Sequence, residues 1–356
     1  MSTGLRWLVV GFAGLMAVGV AQAGPVGAVD GAPSIELFAA DGRTPLGAGV
    51  VHPGDRIVVR GSGFDPEANT SGLPVPVPPG VPHGTFVTFG AFAPEWKPSS
   101  GAPTSARAAD RSVAQWVLSQ SALERIPQVP FDFQRTVRKQ WVPLTGDGRF
   151  EATLTVKAPA TTPADAVFGV YTYAAAESVN AAQELAVPVR FDPTPGPNTP
   201  TPPPADLSWA VTRDFAGTVT GPLQGSLSGT DGAAVRDGRL TYQLDGADLD
   251  PSTGLGTLRY RGTVVASTRF HLGEIALADP WIEFTPEGTW LSARTSTSDT
   301  IGADSLQRVR LARLDTAPDT DHRDRADVPV RFEPGIEPLS LRLLATDAAE
   351  PVDFRW

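Results

Sequence analysis

Residues 192–204 read DPTPGPNTPTPPP, seven prolines in thirteen positions and, those aside, no apolar side chain. Proline fixes φ and has no N–H to donate, so neither a helix interior nor a central strand can run through such a segment. It is expected to take polyproline II geometry, a semi-rigid spacer spanning up to about 40 Å at roughly 3.1 Å per residue. The chain is thereby divided, and residues 24–191 and 205–356 are expected to fold separately with few contacts between them.

Both parts show the period-two alternation of half-buried strands. Upstream, strands are expected at 56–60, 85–92, 150–156, 168–173 and 185–191, with loops at Gly61-Ser62-Gly63 and the proline-heavy 73–82. One helix is expected over 112–126, capped by Ser112, with Trp116, Leu123 and Ile126 near one face. Downstream, strands are expected at 207–211, 240–244, 257–265, 268–277, 281–284, 290–295, 307–314, 328–332 and 339–344. Turns are signalled there by Asp237-Gly238, Asp245-Gly246 and Glu287-Gly288. Tyr171 and Tyr173 alternate about Thr172 and therefore share a face, which reads as core. The fold class is all-β: two immunoglobulin-like antiparallel β-sandwich domains, 24–191 and 205–356, joined by the Pro-rich linker. With no cysteine in the chain, stability has to come from packing.

At the N-terminus Arg6 precedes an apolar run over 7–20, and Ala21-Gln22-Ala23 follows before Gly24. Charge, apolar core and small-residue site in that order predict a secretory signal peptide over 1–23. The run is short, broken by glycines and not followed by a basic stop-transfer cluster, so a cleaved leader is expected and not a membrane anchor. The mature protein is then secreted, associated with the cell surface and without a transmembrane segment. Its formal charge is −10 before cleavage and one unit more negative once Arg6 is lost. Such a chain does not hold nucleic acid or an anionic membrane through general electrostatics.

The signatures of common enzymes are missing: no G-x-S-x-G elbow, phosphate-binding loop, H-E-x-x-H helix or dinucleotide fingerprint occurs. Only His52, His83, His271 and His322 could serve as imidazole bases or ligands, and His52 and His83 sit beside prolines as surface turn residues would. The loop 315–327 gathers Asp315, Asp319, Asp321, Asp324 and Asp327 around His322. Arg323 and Arg325 interrupt it and the calcium-loop spacing is absent, so it reads as a solvated loop. No enzyme is expected.

Three segments carry a resemblance to the HtaA domain family, surface domains of haem-uptake systems. The opening Leu207-Ser208-Trp209-Ala210-Val211-Thr212-Arg213-Asp214-Phe215 is similar to the family's first strand. The centre resembles a block of that family: Tyr260-Arg261-Gly262-Thr263-Val264, then Arg269-Phe270-His271-Leu272-Gly273-Glu274, then a strand with an Asp279-Pro280 turn. Glu350-Pro351-Val352-Asp353-Phe354 is similar to its last strand. Upstream, Val58-Val59-Arg60-Gly61-Ser62-Gly63-Phe64 resembles part of bacterial immunoglobulin-like surface modules.

The resemblance implies a haem cofactor. In the family a tyrosine soon after the opening phenylalanine ligates ferric haem and the block histidine hydrogen-bonds its phenolate, a hard donor tuned by a neighbour. His271 matches that histidine. Thr218 stands where the tyrosine would fall, and an aliphatic hydroxyl does not ionise near neutral pH. A haem site here would lie beside His271 and Thr218, with Phe215 and Phe270 covering the porphyrin and iron ligation passing to His271, or to a phenolate from Tyr260 or Tyr242. Two functions stay open: a haem-binding or haem-uptake accessory with a degenerate site, its partner haem or a haem-carrying surface protein; and a cell-surface interaction module that has lost haem and contacts protein or cell wall.

Overall fold

The computed structural model describes residues 31–130, 132–336 and 348–356. The expected leader over 1–23 and the expected strand at 339–344 lie outside the described residues.

In the upstream part the strands are β1 (Ser34–Phe38), β2 (Val50–Val51), β3 (Arg56–Ser62), β4 (Thr85–Phe92), β5 (Arg107–Ala109), β6 (Gln115–Leu118), β7 (Trp141–Pro143), β8 (Phe150–Thr155), β9 (Val167–Ala174), β10 (Leu185–Pro188) and β11 (Arg190–Phe191). They form a sheet β1-β3-β8 and a larger one β10-β9-β4-β6-β7, with β5 on the edge of β4 and β11 paired to β2. The alternation predicts the burial: Phe150, Ala152 and Leu154 of β8 are inside while Glu151 and Thr155 are exposed. Ile57, Val59, Val87, Phe89, Leu154 and Val170 fill the space between the two sheets, a sandwich core. Tyr171 stacks on Phe92 with ring centroids 3.9 Å apart, and Tyr173 packs against the same ring, the core role expected of both.

The single helix expected over 112–126 is instead a strand and a short helix. Trp116, Val117 and Leu118 belong to β6, where Trp116 lies against Phe86 of β4 and its indole N–H donates to the His83 carbonyl. Only α1 (Gln120–Glu124) is helical, and its cap is Ser119, whose hydroxyl accepts from the Ala122 N–H. The apolar run 116–118 satisfies a sheet better than one helix face. A second helix, α2 (Phe133–Arg138), is capped by Asp132 and packs Val137 onto Leu123 and Trp116. His83 is also a correction: it is fully buried, its ring nitrogens 2.8 Å from the Asn69 carbonyl and 3.1 Å from that of Leu73.

Residues 192–204 are not a free spacer. The His52 ring lies 3.0 Å from the Thr194 carbonyl, Thr199 donates to the Pro53 carbonyl and the Asn198 amide donates to Asp55, while Arg236 donates to the Pro203 carbonyl at the far end. Pro removes donors, but the threonine and asparagine side chains between the prolines supply them, so the segment lies along the turn before β3.

Downstream come β12 (Leu207–Trp209), α3 (Phe215–Thr220), β13 (Ser226–Thr230), β14 (Ala234–Arg236), β15 (Arg239–Leu249), β16 (Gly256–Arg261), β17 (Thr263–Ser267), β18 (Glu274–Thr285), β19 (Gly288–Ser296), β20 (Leu306–Leu314), β21 (Asp324–Val328), β22 (Val330–Phe332) and β23 (Val352–Arg355). The twelve strands are in one sheet of order β21-β23-β12-β15-β16-β18-β19-β20-β22, with β14 on β15 and β13 reached through β17, which pairs with β18. The sheet curls around a single core that includes Trp209, Leu240, Leu258, Ile282, Leu291, Val352 and Phe354. It is the antiparallel β fold expected, built as one curled sheet. Among the described residues no strand of one part pairs with a strand of the other.

The expected strands 257–265, 268–277 and 281–284 are bounded differently. The stretch 257–265 breaks at Gly262, which has φ +112° and lies so close to Ala233 that a Cβ would sit 2.4 Å from its backbone nitrogen. Asp279-Pro280 is a bulge inside the long β18 and not a turn, because Pro280 cannot donate to the ladder and the register slips between Ala278 and Trp281. Asp245-Gly246 is likewise a bulge, within β15.

Candidate functional site

α3 is short because its sequence, FAGTVT, holds poor helix formers; Phe215 and Val219, four apart, anchor it in the core. Thr218 lies on its half-buried side. Its carbonyl accepts from the Leu223 N–H at 3.1 Å, and the Leu223 carbonyl accepts from the Arg269 N–H at 2.9 Å. The Arg269 guanidinium also donates to Gln224. These bonds fasten the end of α3 to the one-turn 3-10 helix Arg269–His271 between β17 and β18. The structure thus brings Thr218 and His271 to neighbouring turns of one region, with Phe215 beneath α3 in the core. Phe270 is in the same turn, and its side chain lies outside the described part of the structure.

Three residues around this region hold left-handed backbone geometry unusual outside glycine: Val211 before α3 (φ 67°), Gln224 after it (φ 47°) and His271 (φ 52°). Such conformations cost on the order of 1–3 kcal/mol each and persist only where surrounding contacts fix them. For Val211 the contact is the Glu350 N–H, 3.0 Å from its carbonyl. For His271 it is Glu274.

The His271 ring is a quarter exposed, and its Nδ1 lies 3.0 Å from Oε1 of Glu274, whose side chain is only 2 % exposed. The other carboxylate oxygen accepts from Arg135 Nη2 at 3.0 Å and from Lys139 Nζ. Burial alone would push this carboxyl up, but hydrogen bonds from His271 and Lys139 and the nearby positive charge outweigh it and hold it down at about 2. A carboxylate only accepts, so the imidazole nitrogen facing it carries the proton. Neutral His271 then presents Nε2 as a lone-pair donor.

Arg135 and Lys139 belong to the upstream part, on and just after α2. Arg135 also donates to Asp304 and to the carbonyls of Thr300 (3.0 Å) and Ile301 in the loop between β19 and β20. Glu177 pairs with Arg269 at 3.2 Å. The two parts therefore meet at the His271 turn, contrary to the expectation of few contacts. The sequence reading missed Glu274, Arg135 and Lys139. Glu274 stood inside a quoted motif, and its alternation with Ile275 was the only local sign of its place at a strand end.

The tyrosines do not join the region. Tyr242 donates to the Leu277 carbonyl at 3.1 Å and Tyr260 to that of Arg355 at 3.2 Å, both within the core. Burial pushes both phenols well above the ordinary tyrosine range, with Asp279 and Asp206 adding to it. Neither is poised to become a phenolate. In the 315–327 loop Asp319 is occupied by His322, the Asp321 N–H and Arg325, and no group of three acidic or histidine side chains among the described residues is arranged for a metal ion.

Residues 204–333 match the HtaA family, described as Htaa. These residues are an HtaA domain. The described sheet of the HtaA domain runs past the matched residues, since β23 pairs with β12 and β21. No curated protein matches the chain. Solved structures similar to it include the haem-binding protein HtaB from Corynebacterium glutamicum, 14% identical with a TM-score of 0.31 over 42% of this chain and 90% of that one. The C-terminal domain of HtaA from the same organism is 15% identical, TM-score 0.35, over 41% and 92%. Its N-terminal domain is 14% identical, TM-score 0.31, over 41% and 92%. In the described part of this chain no helix is long and apolar enough to cross a membrane.

Proposed function

We propose that the chain is an exported haem-uptake accessory whose HtaA domain takes haem through the imidazole of His271. The observation that carries this reading is the state of His271: a partly exposed ring in an HtaA domain, oriented by a buried carboxylate on Nδ1. The donor set fits an imidazole-held haem and does not fit a phenolate-held one, since Thr218 cannot ionise and Tyr242 and Tyr260 are spent inside the core. Bound haem would supply a Lewis-acidic iron. His271 would offer Nε2 to it, and Glu274 would raise the basicity of that nitrogen through Nδ1. Export, by the leader expected over 1–23, and a place at the cell surface belong to the same reading, as does transfer to or from a haem-carrying surface protein.

Hemin titration of the full chain tests it. A Soret shift that saturates near one equivalent and disappears in His271→Ala supports the reading; no shift in the native chain overturns it.

One observation favours a second reading, a surface interaction module. On the outer face of the HtaA sheet Arg308 lies 3.6 Å from the Trp281 ring and Arg310 5.0 Å from that of Trp290. Arginine and tryptophan are the residue types that anchor protein interfaces. Under this reading the domain has lost haem and a protein or cell-wall partner binds that face.

A further inference from the structure

We infer that the upstream part completes the His271 site: Arg135 and Lys139 hold Glu274 in place, and Glu274 fixes His271 with Nδ1 protonated and Nε2 presented. What Nε2 is presented to rests on the haem reading; the positioning of the ring does not.

Glu274 sits at the first position of β18, where its carboxylate is buried. A buried carboxylate is retained only if its oxygens are satisfied. Within the HtaA domain the side-chain partner of Glu274 is His271, through Oε1. The partners of Oε2 come from the other side of the linker, Arg135 at 3.0 Å and Lys139. Arg135 is itself immobilised by Asp304 and by the Thr300 and Ile301 carbonyls, so it serves as a rigid fork and not as a flexible surface charge. Behind the carboxylate stands Gly302, with φ +52°, where a Cβ would lie 2.5 Å from Oε2. Space is therefore left for the carboxylate in one position, between the cations and the imidazole. Removing the cations leaves Oε2 buried and unpaired, and the carboxylate can then stay only by turning towards water, away from Nδ1.

Glu274, Arg135 and Lys139 are thus positioning residues, and the upstream part is a component of the site. The pair Arg269 to Glu177 beside the same turn adds to that docking.

The test reads the imidazole directly. Full-length protein labelled with 15N-histidine is examined by long-range 1H–15N correlation at about pH 8, above the ordinary histidine range. The native chain should show His271 as a single tautomer with Nδ1 protonated and Nε2 of pyridine type. Glu274→Gln and Arg135→Gln/Lys139→Gln should each give averaged ring shifts, with hemin affinity falling about tenfold or more. Should either fail to fold by circular dichroism, Lys139→Gln, which removes one partly exposed cation, should still broaden or shift the two ring signals. A native ring protonated on Nε2, or folded variants with an unchanged tautomer, overturns the inference. If the native chain takes up no hemin while the tautomer responds as described, the haem reading falls and the positioning stands; if hemin binds and the tautomer does not respond, the reverse holds.

Discussion

Arg135 Nη2 donates to Oε2 of Glu274 at 3.0 Å across 139 residues of sequence and across the proline-rich segment. The pair is the firmest tie between the two parts, because one member is buried and the other makes four separate polar contacts with the HtaA domain. Breaking a buried pair from one side costs about 3–5 kcal/mol where the charge is left uncompensated; Lys139 still reaches Oε2, so Arg135→Ala should lower the unfolding free energy of the full chain by less than that, measured by urea denaturation.

Acid should undo the same contact. The Glu274 carboxyl is held at about 2 against an ordinary 4.5. A carboxylate lowered on folding contributes stability that is complete above the unfolded value and is lost as pH falls through the folded one. The loss therefore spans about pH 4.5 to 2 and amounts to roughly 3 kcal/mol. Exposed Asp41, held low by the Thr44 N–H, and Asp250, held low by the Ser252 hydroxyl, titrate in the same window. Native minus Glu274→Gln isolates the buried group: the difference in unfolding free energy should shrink steadily over that window, and a flat difference would contradict the buried ion pair.

The core phenols give a second check on ligation. Tyr242→Phe and Tyr260→Phe each remove one hydrogen bond to a backbone carbonyl while keeping the ring, and each should cost about 1 kcal/mol. Neither should change the visible spectrum of the hemin complex. A spectrum that changed in Tyr260→Phe would return the phenolate to the iron.

The strands were legible where one face is buried and the other wet. β8 follows its alternation because side-chain period and burial coincide, whereas β4 is buried along nearly its whole length. The run 112–126 was misread because Trp116 and Leu123 fit a helix face by spacing, while the deciding contact, Phe86 on β4, is distant in sequence. The candidate site divided the same way. His271 and Thr218 were found through motif residues close together in the chain. Glu274 carried no comparable signal, since its role is created by Arg135 and Lys139 and by the fold that brings α2 to β18. Tyr242 and Tyr260 sat in plausible strands, and only the carbonyls they reach show them to be core.

Gly302 offers a probe of the ion cluster that leaves every charge in place. Its left-handed backbone and the 2.5 Å approach to Glu274 Oε2 leave no room for a methyl group. Gly302→Ala should destabilise the chain by about 1–3 kcal/mol in urea denaturation. The same change should loosen the α2 contact, read as faster amide exchange at 133–138, and unchanged protection there would mean that the carboxylate has a second resting place.

Thr218→Tyr addresses ligation from the other side. Thr218 lies on the half-buried side of α3, fastened through Leu223 to the Arg269–His271 turn, so a phenol placed there projects from the element tied to the histidine and not from the core. There it escapes the burial that pushes Tyr242 and Tyr260 upward and can ionise, its proton passing to solvent and its phenolate oxygen being free to donate to a ferric iron, a hard acceptor. The variant should bind hemin more tightly than the native chain and add a tyrosinate-to-iron charge-transfer band, and combining it with His271→Ala should keep the band while weakening binding. Tighter binding without the band would mean that the new ring only packs on the porphyrin. No hemin uptake in either protein would leave the outer arginine and tryptophan face as the working surface of the domain.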